Sequence, residues 1–232
     1  MGITMNKGIL IAIDGLDGSG KETQTKRLCK YLDEQKIKNR YISFPTYEDD
    51  SSALINMYLQ GKFGDNPNAV NAYAASSFFA MDRYCSYMLD WKKDYDDGAV
   101  IIANRYTTAN LVHQMSKLPE SERDGFMQWL YEYEFEKLAL PKPNLVIYLC
   151  LPPQASEALI QKRCNISGAV KDIHEKSSTH LNDSYKAAVY TAEKLGWSRI
   201  DCVKDGTLRT IDDIAAELKS IVNNSGLLPE RS

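Results

Sequence analysis

A glycine-rich run that joins an apolar segment to a helical pattern carries the clearest chemistry in the sequence. The run is Gly15-Leu-Asp-Gly-Ser-Gly-Lys21, and it closely follows the apolar residues 8–13. Glycines let a backbone wrap closely around a phosphate, and the N-terminus of the following helix adds positive potential there. Lys21 supplies a mobile ammonium that can follow phosphoryl oxygens. The run therefore predicts a loop that binds nucleotide phosphates through Gly15, Asp17, Gly18, Ser19, Gly20, Lys21, Glu22 and Thr23, with Lys21 also catalytic.

Two positions near this loop depart from the usual pattern of a magnesium site. The residue after Lys21 is ordinarily Ser or Thr, whose hydroxyl binds Mg²⁺, but here it is Glu22. The apolar run 99–103 ends in Asn104, where an Asp usually lies near the metal. Either Glu22 points away from the phosphates or its carboxylate reaches the metal, because Mg²⁺ prefers oxygen ligands. Our hypothesis is that the metal-side carboxylate has moved from position 104 to Glu22, which makes Glu22 and Asn104 the candidate metal ligands.

Apolar runs alternate with helical patterns along the whole chain. The predicted strands cover residues 8–13, 41–44, 99–103, 145–150 and 199–203. The predicted helices cover residues 21–35, 51–60, 68–91, 107–116, 121–138, 153–163, 172–195 and 211–222, with a loop at 164–171. Strands that alternate with helices of this length imply a parallel sheet covered on both faces. We expect an α/β fold in one domain over residues 1–232, with a doubly wound five-stranded parallel sheet of the P-loop NTPase type and a frayed tail at about 223–232.

Composition argues against several other classes of function. One quarter of the 232 residues are charged, yet the formal net charge is only −3, so no basic excess indicates binding of nucleic acid or of an anionic membrane. No apolar run approaches the ~20 residues that cross a bilayer, and Met1–Lys7 is too short and too polar for a signal peptide. The five cysteines are scattered without a C-x-x-C pair, so we interpret them as reduced thiols of a cytoplasmic protein.

Three further segments extend the pattern beyond the glycine-rich loop. Phe44-Pro-Thr-Tyr47 follows the second strand, and Phe79 and Arg83 are spaced to share one helical face. Asn104-Arg105-Tyr106 follows the third strand. Together with the loop, these segments resemble the thymidylate kinase family over about residues 8–222. The resemblance implies a phosphotransferase that uses ATP and Mg²⁺ to convert dTMP into dTDP.

The resemblance also implies which residues hold dTMP. Phe44, Pro45 and Tyr47 would lie near the acceptor phosphate, while Arg105 would clamp that phosphate. Asp17 either contacts the 3′-hydroxyl of the deoxyribose or bonds within its own loop. The family often has an aromatic residue at the position of His113. We assign His113 no catalytic role, because a lone histidine is more often structural than catalytic.

A planar ring, a guanidinium and two amides would recognise the base. Phe79 would stack on thymine and Arg83 would approach the edge of the base. Asn110, with Gln114 as a second candidate, would read N3–H and O4, because an amide offers a donor and an acceptor together. On base rates alone, a Phe on a long helix is usually core and an Arg is usually solvated, so this assignment depends on the resemblance.

Basic residues flank the predicted loop around Gly168 and resemble the mobile lid of the same family, at about residues 163–176. Phosphoryl transfer spreads negative charge over equatorial oxygens, so a cation that arrives when a lid closes stabilises the transition state. Arg163 or Lys171 would supply that cation and are both catalytic candidates, while Asp172 and Glu175 are candidates for substrate binding. From charge pattern alone, an ordinary surface loop with solvated lysines remains an equal alternative.

The favoured interpretation is a thymidylate kinase that pairs as a homodimer, has ATP and dTMP as its ligands, and binds neither nucleic acid nor membrane. One alternative is a kinase for deoxynucleosides or for another pyrimidine monophosphate, and the acidic run Glu48-Asp-Asp50 keeps it open because a nucleoside hydroxyl needs a base. Another alternative is a nucleotide-binding protein with impaired catalysis, since the departures at Glu22 and Asn104 both affect the metal site.

Overall fold

Five parallel strands form the centre of the molecule, which is known from a computed structural model that describes residues 7–168 and 170–229. The strands are β1 (Ile9–Gly15), β2 (Asn39–Ser43), β3 (Val100–Asn104), β4 (Leu145–Cys150) and β5 (Ser198–Asp201). They are hydrogen-bonded in the order β2-β3-β1-β4-β5, and every neighbouring pair is parallel. The predicted α/β fold with a five-stranded parallel sheet is confirmed.

Eight α-helices of the described residues surround the sheet. They are α1 (Lys21–Glu34), α2 (Ala53–Leu59), α3 (Ala72–Ser86), α4 (Lys92–Asp96), α5 (Glu120–Tyr131), α6 (Pro153–Ser167), α7 (Ser178–Leu195) and α8 (Ile211–Asn224). Short 3₁₀ turns cover Asp50–Ser52, Pro67–Ala69 and Met115–Lys117, and π-helical turns cover Tyr87–Trp91, Asn110–Gln114 and Glu132–Lys137. Within the described part of the chain, none of the helices is both long and apolar enough to cross a membrane.

The two faces of the sheet bury different hydrophobic clusters because side chains alternate along each strand. On β1, Ile11 and Ile13 pack in a cluster with Leu28 of α1 and Leu218 of α8. The intervening residue Leu10 belongs to the opposite cluster, which contains Trp91 and Tyr106. A further cluster on that side joins the 110–115 turn to α5 and α7. Both faces are therefore covered, which explains why the three inner strands β1, β3 and β4 are near-continuous apolar runs.

The predicted helix at 68–91 differs from the structure at both ends. Helix α3 begins only at Ala72, because the Asn71 side chain accepts a hydrogen bond from the Ala74 N–H and caps it. After Ser86 the helix widens into the π-turn Tyr87–Trp91 and continues as α4. In this stretch Tyr87, Trp91 and Tyr95 all face the sheet in one aromatic cluster. Similarly, the predicted helices at 107–116 and 121–138 each contain a π-turn that periodicity did not reveal.

The predicted start of the loop at residue 164 and the predicted start of the following helix at residue 172 were both wrong. Helix α6 continues to Ser167 and ends at Gly168, whose φ of 71° is the left-handed conformation of a helix C-cap. Helix α7 begins only at Ser178, since the Ser177 hydroxyl accepts a hydrogen bond from the His180 N–H. Residues 173–176 between the two helices form turns, and residue 169 of the predicted lid lies outside the described residues.

The C-terminal region also departs from the prediction. The last sheet strand ends at Asp201, and β6 (Val203–Lys204) then pairs with β7 (Thr207–Leu208) in a small antiparallel hairpin. Helix α8 extends to Asn224, and Leu228 beyond it packs on a hydrophobic cluster. The predicted frayed tail therefore begins later than residue 223, and its end at 230–232 lies outside the described residues, as do residues 1–6.

Candidate active site

The glycine-rich loop connects β1 to α1 at the carboxyl edge of the sheet. Gly15 leaves the strand so close to β4 that an added Cβ would lie 2.5 Å from the Leu149 carbonyl oxygen. Gly18 has a φ of 80°, in the left-handed region that glycine tolerates best. The Lys21 ammonium folds back over the loop and donates hydrogen bonds to the carbonyls of Gly15 and Leu16, both at 2.8 Å. The loop therefore holds its lysine at the point where a phosphate would lie.

One cavity of about 530 Å³ opens beside this loop. It brings together residues from the loop, the ends of β2 and β3, helix α3, the 110–114 turn, helix α6 and the segment before α7. All of the site residues predicted from the sequence line it except Gly15, Ser19 and Lys171. The lining residues among them are Asp17, Gly18, Gly20, Lys21, Glu22, Thr23, Phe44, Pro45, Tyr47, Phe79, Arg83, Asn104, Arg105, Asn110, Gln114, Arg163, Asp172 and Glu175.

Asp17 and Arg105 form an ion pair in the centre of the cavity. Arg105 follows β3 with a φ of 65°, which turns its side chain from the strand end towards the loop. Its guanidinium donates one hydrogen bond to Asp17 Oδ1 and another to His113 Nε2, at 2.9 Å. Burial opposes the charge on Asp17, but Arg105 and Lys21 still hold the pKa of that carboxyl well below its usual range. Both members of the pair are therefore charged at neutral pH.

Burial also affects the loop lysine. Removal from water, together with the nearby Arg105 charge, lowers the pKa of Lys21 to about 8. The opposite charge of Asp17, whose Oδ1 lies 3.8 Å from Lys21 Nζ, limits that shift. Lys21 therefore remains a cation at neutral pH, and it lies next to Arg105 rather than in bulk solvent.

A buried carboxylate that sequence analysis missed organises the wall where the base was predicted to lie. Glu134 is fully buried and accepts hydrogen bonds from Arg83 Nε at 2.8 Å and from Arg83 Nη2 at 2.5 Å. The Thr107 hydroxyl at 2.6 Å and Asn110 Nδ2 at 3.2 Å donate to the same carboxylate. Arg83 and Asn110 are thus fixed in the cavity wall, and Glu134 lies behind them, away from the cavity.

Aromatic and amide side chains complete this wall. Phe79 lies one helical turn before Arg83, and its ring meets Tyr58 edge-on with centroids 6.4 Å apart. Gln114 is buried, and its Oε1 has no hydrogen-bond partner among the described residues. An unpartnered buried amide oxygen next to an aromatic ring suits a planar base that carries an N–H donor.

The segment after β2 is attached to helix α3 by a single carboxylate. Asp82 is buried and accepts hydrogen bonds from the Thr46 N–H at 3.0 Å, from the Thr46 hydroxyl and from the Ser51 hydroxyl at 2.7 Å. Phe44 is buried against Tyr106, with ring centroids 6.0 Å apart. These contacts hold Phe44, Pro45 and the exposed Tyr47 along one side of the cavity.

Asp172, His174 and Glu175, which lie between α6 and α7, form another part of the cavity wall. Arg163 Nη2 contacts both oxygens of Glu175, at 2.7 and 2.8 Å, and Asp172 Oδ1 accepts the Glu175 N–H at 2.9 Å. Ile173 is buried with Tyr58 in a small cluster and donates its N–H to the Leu59 carbonyl at 3.3 Å. The base of the predicted lid is therefore attached to helix α2, while Arg163 lies over the cavity.

The metal candidates have different surroundings. The Glu22 side chain is 62% exposed, and its Oε1 lies 2.5 Å from Lys26 Nζ on the next helical turn. Asn104 donates a hydrogen bond from Nδ2 to the Ser43 hydroxyl at 3.0 Å, whereas its buried Oδ1 has no partner among the described residues. Hard divalent cations accept amide and carboxylate oxygens, directly or through water. The unpartnered Asn104 oxygen in the cavity wall therefore fits a magnesium ion.

This arrangement defines a class of protein. A glycine-rich loop follows the central strand of a parallel sheet, and Arg105 lies beside the loop lysine as a second cation in the same cavity. A wall with an aromatic ring and two amides adjoins both cations. Ligands of such sheets bind at the carboxyl ends of the strands, where this cavity lies. The fold and the site define a P-loop nucleotide kinase.

Comparison with known proteins identifies the family. The family described as Thymidylate kinase matches residues 13–202. A thymidylate kinase of Mycobacterium tuberculosis is 29% identical over 174 residues, which cover 73% of this chain and 79% of that protein. The thymidylate kinase of Plasmodium falciparum is 26% identical over 226 residues, which cover 97% and 94% of the two chains. The chain belongs to the thymidylate kinase family, so it is a phosphotransferase and its reaction is the phosphorylation of dTMP.

A solved structure agrees with this assignment at the level of the fold. Thymidylate kinase from Candida albicans, a protein described as having broad substrate specificity, superposes with a TM-score of 0.68 at 22% identity. The match covers 97% of this chain and 96% of the other. The predicted P-loop NTPase fold is thereby confirmed over the length of the chain.

Proposed function

We propose that the chain transfers the γ-phosphoryl group of ATP directly to dTMP, with Mg²⁺ as the metal cofactor. The observation that carries this proposal is the position of Asp17. Its Oδ1 lies 3.8 Å from Lys21 Nζ and accepts a hydrogen bond from Arg105. Because one carboxylate contacts both cations, phosphates held by these cations would lie within reach of each other for in-line transfer.

On the donor side, the loop would hold the ATP phosphates through its backbone N–H groups. The proposed donor residues are Gly15, Gly18, Ser19, Gly20, Lys21, Glu22 and Thr23. Ser19 is buried with a hydroxyl that has no partner among the described residues, which suits a phosphate oxygen. Lys21 would exchange the carbonyls of Gly15 and Leu16 for the phosphoryl oxygens.

On the acceptor side, Arg105 would bind the phosphate of dTMP, with Phe44, Pro45 and Tyr47 beside it. The base would lie between Phe79 and the wall that contains Asn110 and Gln114. Arg83 would act at the edge of the base while Glu134 holds its guanidinium. Asp17 is the proposed contact to the sugar. Asp172 and Glu175, in the segment between α6 and α7, are further proposed contacts to the substrate.

No strong general base is needed for this reaction. The acceptor phosphate is an oxyanion at neutral pH, so catalysis consists of positioning two phosphates and stabilising the spread charge of the transition state. Lys21 and Arg105 would supply two of the cations for this, and Arg163 or Lys171 would add a further cation when the lid closes over ATP.

Mg²⁺, when bound, neutralises charge on the transferring phosphates. Asn104 Oδ1 would hold the ion directly or through a water, and Glu22 would join it by leaving Lys26. If the carboxylate function has moved to Glu22, the Mg²⁺ concentration for half-maximal rate rises more in Glu22→Gln than in Asn104→Ala. Equal or negligible changes in the two variants would contradict this role of Glu22.

We also propose that the chain acts in the cytoplasm as a homodimer. All five cysteines are free thiols, as in proteins of reducing compartments. The outer side of α3 and the following π-turn exposes Met81, Met88 and Leu89, with Leu89 87% exposed. Apolar side chains at neighbouring helical positions are typical of a surface that pairs with another protein. Fractionation of the producing cells that recovered the chain outside the cytoplasm would contradict the location.

The acceptor is tested by ADP release with MgATP and a panel of dTMP, dCMP, UMP and thymidine. We expect the highest kcat/KM with dTMP, because the wall offers an aromatic ring and amides rather than a base for a free hydroxyl. Turnover with thymidine but not with dTMP would contradict the proposal and would make the chain a nucleoside kinase.

Arg105→Lys tests the acceptor clamp more sharply. A lysine keeps the charge but loses the planar fork, so kcat/KM for dTMP is expected to fall about 10- to 100-fold while KM for ATP changes little. Arg40→Lys is the matched control, because Arg40 also binds carboxylates, Asp90 and Asp94, but lies outside the cavity. Equal losses in the two variants would contradict the proposed role of Arg105.

A further inference from the structure

The three histidines of the chain meet at one place beside the active-site cavity. His113 comes from the 110–114 turn, His174 from the segment before α7 and His180 from the first turns of α7. Each is buried, with 5–7% of its surface exposed. One nitrogen from each ring lies within 4.8 Å of the others. The ring centroids of His174 and His180 are 4.4 Å apart, and those of His113 and His174 are 5.6 Å apart.

Hydrogen bonding within the described residues leaves this cluster incompletely satisfied. His113 Nδ1 is buried without a hydrogen-bond partner. His180 Nε2 has only a long contact to the Ser184 hydroxyl, at 3.4 Å. His174 Nε2 lies 2.8 Å from the Tyr58 hydroxyl. Stacked, buried imidazoles with an unpartnered nitrogen are unusual for a packed core, because buried polar atoms normally have partners.

We propose that His113, His174 and His180 form a binding site for a zinc-class divalent metal ion. Three neutral imidazoles are a known donor set for Zn²⁺, and such sites keep a fourth position for water or another oxygen ligand. Nitrogens bound to one tetrahedral Zn²⁺ lie about 3.3 Å apart, so the rings need to approach by about 1.5 Å at most. His113 and His174 also line the active-site cavity, from which the fourth ligand would come.

The hydrogen bond between His113 and Arg105 couples the metal site to catalysis, on the basis of the function proposed above. A guanidinium only donates, so His113 Nε2 accepts from Arg105 Nη1 with the single lone pair that a neutral ring has. A metal on either nitrogen of His113 needs a neutral ring whose free lone pair faces the metal. Metal binding therefore ends the bond to Arg105, whichever nitrogen is used, and leaves Asp17 as the remaining side-chain partner named for that arginine.

The expected consequence is inhibition specific to the acceptor. Arg105 loses one of the two contacts that orient it, and a divalent cation beside it repels it further. Saturating Zn²⁺ should lower kcat/KM for dTMP about tenfold or more and should change KM for ATP far less. Mg²⁺ should not reproduce the effect, because it prefers oxygen ligands to imidazole.

Histidine NMR tests binding on the unmodified chain, prepared without a polyhistidine tag. With selectively labelled histidine the spectrum contains three imidazoles, since the chain has only three histidines. Titration with Zn²⁺ should change all three together and saturate at one ion per chain. Co²⁺ at the same stoichiometry should give the visible absorption of a four-coordinate ion. Unchanged imidazole signals at excess Zn²⁺ would overturn the proposal, whether or not the enzyme is active.

Variants separate this site from other soft ligands. His180→Gln removes a ligand that does not line the cavity, so it should keep its basal activity, weaken Zn²⁺ binding at least about tenfold and abolish the inhibition. The matched control is the double variant Cys150→Ala, Cys202→Ala. Both cysteines are buried, and they are neighbours because the Cys202 N–H donates a hydrogen bond to the Cys150 carbonyl. Zn²⁺ binding that survives in His180→Gln but disappears in the cysteine variant would refute the histidine site.

Discussion

Glu134 illustrates how one residue controls several others in the cavity wall. It is fully buried and accepts hydrogen bonds from Arg83, Thr107 and Asn110. Removing one partner of a buried ion pair leaves the other charge without compensation. The side chains proposed to contact the base therefore depend on a carboxylate that would itself lie behind them.

Glu134→Gln should destabilise the protein by about 3 kcal/mol, because Arg83 would remain buried without a counter-charge. Urea unfolding measures the change. The control is Glu132→Gln in the same π-turn, whose carboxylate is half exposed and pairs with Lys137 at 3.0 Å. Its exposed pair should contribute less than about 1 kcal/mol. Similar destabilisation by the two variants would contradict the role assigned to Glu134.

Lys117 provides a pH-dependent prediction at the same scale. Its ammonium donates to the Tyr58 hydroxyl at 2.8 Å and to the Val70 carbonyl at 3.0 Å, and burial lowers its pKa to about 7. In the unfolded chain its pKa is about 10.4. The unfolded state therefore holds more protons between these values, so this lysine makes the folded state more stable as pH rises from about 7 to 10.

Lys117→Met should remove that dependence. The free energy of unfolding of the wild type, relative to the variant, should rise with pH between about 7 and 10 by up to about 1.4 kcal/mol per pH unit. Comparing the two proteins by urea unfolding cancels the titration of groups that they share. A difference that stays constant over this range, or that falls, would contradict a lysine with a lowered pKa.

Among the elements, the segment between α6 and α7 contains the contacts of the proposed lid cation, Arg163. Arg163 near the end of α6 binds Glu175, and Asp172 accepts the Glu175 N–H. At the other side, Ile173 is buried against helices α2 and α3. The segment thus has a fixed base, and Arg163 can exchange Glu175 for a phosphate without unfolding either helix.

Arg163→Ala should lower kcat about tenfold or more and change KM for ATP less, since the cation would stabilise charge that develops in the transition state. Lys162→Ala is the neighbouring control, because it removes an exposed cation from the adjacent position on α6 and lies outside the cavity. Steady-state kinetics with saturating dTMP compare the two. Wild-type turnover in Arg163→Ala would contradict a catalytic role for this arginine.

The sequence predicted the elements whose signals are local. The apolar runs of the five strands and the glycine-rich loop each lie in one short segment, so they indicate both the sheet and the phosphate site. The start of α7 depended instead on a single hydroxyl, that of Ser177, and the three π-turns left no distinct periodicity. Glu134 was missed because its partner Arg83 lies 51 residues away and nearby glutamates look the same in sequence.

At the scale of the whole molecule, the exposed apolar side chains near α3 predict self-association. Leu89→Glu should convert a dimer into a monomer in sedimentation velocity, because the change places a charge in the surface proposed to pair. Leu208→Glu is the control, since Leu208 is another exposed leucine, at 46%, but lies on the β6–β7 hairpin. A wild type that sediments as a monomer at all accessible concentrations would contradict the proposed dimer.

In the proposed reaction a single cavity holds ATP and dTMP, so that one phosphoryl group passes directly from the first to the second. This transfer is tested most directly by mixing the chain with Mg²⁺, dTMP and ATP labelled at the γ-phosphate, and by following the label over one turnover. We expect the label to appear in dTDP at the rate at which ADP forms, and we expect Arg105→Lys to slow both equally. Label recovered only as inorganic phosphate, or ATP left intact in the presence of dTMP, would contradict direct transfer.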